Sequence, residues 1–100
     1  MFDKIPIEIV WTKNSLITAS TIKKYLQVKF SEKEVNNFFS LLKTFEEAVS
    51  FFPELYPVSK NKVRRAVLNK NLSVFYRKHK KRIEILAVLD NRMDLSEWME

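Results

Sequence analysis

Across a loop running from Pro53 to Asn61 the hydrophobic period of this chain changes from 3.6 residues to 2. Before the loop, apolar residues recur at spacings of three and four, the signature of helices with one buried face. Leu16, Ala19, Ile22, Leu26 and Phe30 form the stripe of a helix capped by Asn14 or Ser15, with Lys23, Lys24 and Lys29 largely off it. Ser31 precedes Glu34 by three residues, the capping-box spacing, and marks a second start. The second helix carries Val35, Phe38, Leu41, Leu42, Phe45, Ala48, Val49 and Phe52, and Pro53 stops it.

After the loop, Val63 to Leu68, Leu72 to Lys78 and Ile83 to Leu89 alternate as strands do. Asn69-Lys70-Asn71 joins the first two, with Asn expected to take the positive φ that Gly usually takes. His79-Lys80-Lys81 joins the next pair. At the start of the chain Ile5, Ile7, Ile9 and Trp11 alternate as well, and Pro6 suggests an edge position or a strand that begins just there. The order β-α-α-β-β-β predicts one α+β domain over residues 1–100, a twisted antiparallel sheet with a helical hairpin on one face. The closing segment from Asp90 to Glu100 reads as a strand end followed by a helical turn or tail.

The chain has no Cys, no Gly and one His. That excludes disulfides, Cys-ligated metals, His-rich metal sites, a P-loop and a dinucleotide fingerprint, so no cofactor is expected. The longest apolar run, Ile85 to Leu89, is far shorter than the roughly 18 residues of a membrane span, and no export signal is visible. A reduced, cytoplasmic domain is the expectation.

The net charge of +6 is unevenly spread. Residues 58–82 hold ten Lys or Arg and no carboxylate, residues 1–57 balance, and residues 83–100 sum to −4. Such a stretch predicts a polyanionic partner, because charges kept for solubility are usually mixed in sign. Lys60, Lys62, Arg64, Arg65, Arg77 and Lys78 are its candidate contacts. Arg92 stands alone as the one cation of the acidic last segment. It either meets a target or forms a salt bridge to Asp90 or Asp94.

Several segments, in order, resemble the RelE/ParE superfamily of bacterial toxins from type II toxin–antitoxin modules. They are Ile9-Val10-Trp11-Thr12, Phe52-Pro53-Glu54-Leu55-Tyr56-Pro57, Val63-Arg64-Arg65-Ala66-Val67, Val74-Phe75-Tyr76-Arg77 and the ending from Ile83 to Asp94. The resemblance covers nearly the whole chain. It implies a growth-inhibiting toxin neutralised by a cognate acidic antitoxin in a hetero-oligomer. It leaves two mechanisms open. ParE-like members inhibit DNA gyrase by binding it, and RelE-like members cut mRNA on the ribosome without a metal.

Metal-free cleavage needs cations on the phosphate and groups that carry protons. Arg64, Arg77 and Arg92 are the candidate catalytic cations, and Arg64 and Arg77 lie on neighbouring strands from which they could converge. A proton carrier is harder to find. His79 reads as a solvated turn residue among cations. Glu84 and Asp90 share a face of the last strand and serve either as bases or, the commoner role, as salt-bridge partners for Arg77 and Arg64. Two departures from the RelE-like pattern stand out, Ser73 in place of an arginine and Trp98 in place of a tyrosine. Trp98 stacks on a base or caps the core. These features tilt the reading toward ParE-like binding. Thirteen aromatics exceed what a small core needs, so Phe39 and Phe51, off the main stripe, are the candidates for an antitoxin groove.

Overall fold

The computed structural model describes residues 5–93. The chain runs β1 (Glu8–Trp11), α1 (Lys13–Lys29), α2 (Glu32–Phe51), β2 (Val58–Lys60), β3 (Val63–Val67), β4 (Leu72–Lys78) and β5 (Arg82–Asp90). The α+β architecture expected from the sequence is present. Two parts of that expectation change. The sheet is mixed rather than antiparallel, because β1 pairs with β5 in parallel, and a short fifth strand, β2, occupies part of the expected loop. The strand order is β1-β5-β4-β3-β2. A parallel pair needs a crossover connection, and the helical hairpin supplies one.

Each helix begins on a hydroxyl cap. The Thr12 Oγ1 accepts from the Ser15 N–H at 3.1 Å, so α1 starts earlier than an Asn14 or Ser15 cap would place it. The same hydroxyl donates to the Ile85 carbonyl at 2.8 Å, tying the start of α1 to β5. Ser31 caps α2 as expected, accepting from the Glu34 N–H.

Ile22 and Leu26 of α1 join Val35, Phe38, Leu42, Phe45 and Val49 of α2 in a core against Ala66, Val74, Tyr76, Ile83, Ile85 and Val88 of the sheet. The α1 stripe is narrower than its periodicity suggests: Leu16 and Phe30 are exposed, and Ser15 and Tyr25 are buried instead. Both helices therefore lie on one sheet face. No helix of the described residues packs on the other.

The turns differ from expectation as well. Asn61 and Lys62, not Asn69 or Asn71, hold positive φ, 51° and 65°. They form the two-residue β2–β3 hairpin loop, whose twist favours that conformation. In the β3–β4 turn the Asn69 Oδ1 accepts from the N–H groups of Asn71 and Leu72, both at 2.8 Å, an Asx turn that needs no positive φ.

Candidate functional site

Cross-strand register decides where the arginines go. Arg64 lies opposite Tyr76, and Arg77 opposite Val63. Tyr76 is fully buried on the helix-covered face, so Arg64 shares that face and Arg77 takes the open one. The convergence that neighbouring strands left open to Arg64 and Arg77 does not occur. Arg64 instead folds onto the 53–57 loop, donating to the Tyr56 carbonyl at 2.7 Å and approaching the Glu54 carboxylate at 3.7 Å. The Tyr76 hydroxyl donates to the Pro53 carbonyl of that loop at 2.9 Å, and burial pushes its pKa above the usual phenol value.

Arg65 is the arginine that joins Arg77 on the open face. It reaches the Ser73 hydroxyl through Nε and Nη2, each at 3.4 Å, and its guanidinium lies 5.6 Å from the centre of the Phe75 ring. Ser73 is thus a small, buried side chain that Arg65 covers.

A bulge separates Glu84 from Asp90. Phe75 pairs with Ala87 and Tyr76 with Ile85, leaving Leu86 as the extra residue. Its carbonyl accepts from Asn14 Nδ2 at 2.9 Å. The extra residue reverses the alternation, so Glu84 faces the open side while Asp90 is buried on the helix side. The expectation that these two acids share a face, paired with Arg77 and Arg64, is therefore corrected. Glu84 lies opposite Arg77 in the ladder, but its hydrogen bond is to His79 Nε2, at 2.9 Å. That bond holds the Glu84 carboxyl below the usual carboxylate range, helped by the nearby charges of Arg77 and Arg82. His79 is accordingly a paired residue that fixes the β4–β5 turn, not a solvated one.

Arg92 also has its partners within the chain. Its Nη2 lies 2.7 Å from Asp90 Oδ2 and its Nε 3.1 Å from Asp90 Oδ1, and Nη1 reaches Glu34 at 3.4 Å. The guanidinium sits 4.7 Å from the centre of the Phe30 ring. The Asp90 hydrogen bonds hold its pKa above the ordinary arginine value. Of the two roles open to Arg92, the salt bridge to Asp90 is the geometry observed. Sequence reading named Asp90 but missed Glu34, which joins from α2, and no local pattern signals such a contact. Trp98 and Asp94 lie outside the described residues.

The three candidate catalytic arginines thus stand apart. Arg64 and Arg77 are on opposite faces. Arg92 follows the far end of β5, where Asp90 pairs with Leu72, about 17 Å along β4 from Arg77 at about 3.3 Å per residue. One phosphate cannot bridge them. Lys60, Lys62 and Lys78 sit near the opposite end of the sheet from Arg92.

The apolar groove is on the helical side. Trp11, Leu16, Ala19, Phe39 and Leu42 line it, with Lys43 and Glu46 at its rim, enclosing about 250 Å³. The Trp11 indole N–H donates to Glu46 at 3.0 Å and fixes one wall. Leu16 and Phe39 are half exposed there, 57% and 45%. Phe39, one of the two candidates for an antitoxin groove, lines this one. Phe51 does not: it is twelve residues further along α2, about a third of a turn away at about 100° per residue, and lies outside. Leu16, which the helical periodicity places on the core stripe, lines the groove instead.

These features define a mixed five-stranded sheet with one helical hairpin, a basic sheet end and an apolar groove between the helices. The same fold occurs in a solved chain of the chromosomal ParDE TA system from P. aeruginosa. The two are 15% identical, with a TM-score of 0.73, over 88% of this chain and 98% of that one. No protein-family model and no curated protein matches the sequence. Among the described residues no helix is long and apolar enough to cross a membrane.

Proposed function

We propose that this protein is the toxin of a type II toxin–antitoxin module, inhibiting growth by binding a core macromolecular target and held inactive by a cognate antitoxin. The observation that carries the reading is the fold, shared over most of the chain with a chain of a ParDE TA system. The groove between α1 and α2 suits the apolar face of a partner helix.

Binding of DNA gyrase, as in ParE-like toxins, fits the site better than RelE-like mRNA cleavage. In-line attack by a ribose hydroxyl needs cations gathered on one phosphate and a proton carrier beside them. Here Arg64, Arg77 and Arg92 are dispersed, and His79 is engaged with Glu84. Regulated expression tests both levels. Growth should stop on induction and resume when the neighbouring antitoxin gene is co-induced. The purified protein should block supercoiling by gyrase and leave ribosome-bound mRNA intact. Cleaved mRNA with unaffected gyrase would reverse the choice of target, and unimpeded growth would remove the toxin reading.

A further inference from the structure

The fold gathers the acid-free stretch at one end of the sheet. Because β2–β3 and β4–β5 are both hairpins and β3 pairs antiparallel with β4, their turns lie side by side at the same edge. One turn carries Lys60 and Lys62, the other Lys80, Lys81 and Arg82, with Arg77 just behind on the open face. None of these six has an ion-pair partner within 4.0 Å among the described residues. The nearest acids are engaged: Glu84 with His79, and Glu54 with Arg64 and Lys78. The turns are about two strand spacings apart, or about 10 Å, near enough for one extended polyanion to contact both.

Both turns are held in shape. The His79 N–H donates to the Arg82 carbonyl at 2.8 Å, and the His79–Glu84 bond closes the same turn. Lys62 holds φ at 65°, the left-handed region that non-Gly residues enter at a cost. A cation is kept there where Gly or Asn would be easier.

We infer that this basic ridge, formed by the β2–β3 and β4–β5 turns, binds the sugar–phosphate backbone of a nucleic acid strand. The composition of the ridge separates this ligand from an acidic protein. Protein interfaces are built around buried aromatic and apolar anchors. The two turns offer only cations, Asn61 and His79, the chemistry of a phosphate-contacting surface. Behind the ridge, Arg65 adds a further cation on the open face, its guanidinium 5.6 Å from the centre of the Phe75 ring. This inference does not depend on the toxin reading, since it follows from charge placement alone.

Fluorescence anisotropy with the full chain and a short labelled RNA tests it, beside a DNA duplex of the same sequence and poly-glutamate of equal charge. The RNA or the duplex should bind, more weakly as salt rises, and the stronger of the two identifies the strand type. K80E/K81E should lose roughly tenfold or more in affinity and flatten the salt dependence. K24E/K33E, the same charge change on exposed helix positions, should stay within about threefold. Thermal melting by circular dichroism confirms that each variant is folded, and K80Q/K81Q replaces the reversal if it is not. Equal losses in the two pairs, poly-glutamate binding as tight as nucleic acid, or no binding to either strand at physiological salt would each overturn the proposal.

Discussion

The Arg92 guanidinium clasps the carboxylate of Asp90 from two residues away, 2.7 Å at the shorter contact, and Asp90 is 1% exposed. The backbone N–H of Arg92 also donates to Asp90 Oδ1 at 2.9 Å, and its carbonyl accepts from the Tyr25 hydroxyl at 3.1 Å. The end of β5 is thus bolted to both helices through Tyr25, Phe30 and Glu34. Arg92→Ala leaves a buried carboxylate with its cation removed, a change that costs about 3 kcal/mol or more where the pair is deeply buried. Arg92 is partly exposed, so about 2–3 kcal/mol is expected in urea unfolding. Arg92→Lys should recover only part, because an ammonium cannot grip both oxygens. Growth inhibition should fall together with stability. Lost toxicity at unchanged melting temperature would return Arg92 to the target surface.

Phe45 is the centre of the core on the other side of the hairpin. It is 1% exposed and meets Tyr76 edge to face, with ring centres 5.5 Å apart, and Tyr56 at 6.1 Å. Phe45→Ala should cost about 3–5 kcal/mol. Because Tyr56 and Tyr76 position the Pro53–Pro57 loop, that loop should become more open to protease in the same variant. A loss below about 1 kcal/mol would contradict this packing.

What the sequence showed depended on how local the cause was. The Ser31 cap and the bounds of β4 were legible because each follows from a few adjacent residues. β2 was not, because Val58, Ser59 and Lys60 are all exposed and leave no alternation. The reversal of faces between Glu84 and Asp90 was hidden for a different reason. The bulge at Leu86 is held by Asn14, far away in sequence, so counting by twos along β5 fails without the fold. The same holds for Arg64 and Arg77, whose faces depend on the β3–β4 register. The basic stretch itself was plain, but only the pairing of two hairpins turned it into a ridge.

The groove gives a prediction that separates binding from folding. Phe39 lines it while remaining 45% exposed, so Phe39→Ala should change stability by about 1 kcal/mol or less. Neutralisation by the antitoxin should fall by roughly tenfold or more if Phe39 fills a partner contact. Phe51→Ala, outside the groove, should leave neutralisation nearly unchanged. Co-expression titration measures both. Equal effects would mean the antitoxin follows α2 rather than the groove.

The His79–Glu84 pair sets the acid response of the β4–β5 turn. Glu84 titrates below its unfolded value because the His79 hydrogen bond favours its charged form. A carboxyl depressed by folding contributes stability that is present above the unfolded pKa, near 4.3. That contribution is lost as pH falls through the folded value. Wild type should therefore exceed Glu84→Gln in stability at pH 6 by about 1 kcal/mol or less, since both side chains are partly exposed. The gap should close as the pH is taken from about 5 toward 3. Urea unfolding of both proteins across that range measures it. A gap that stays constant down to pH 3 would mean that shape, not charge, holds the turn.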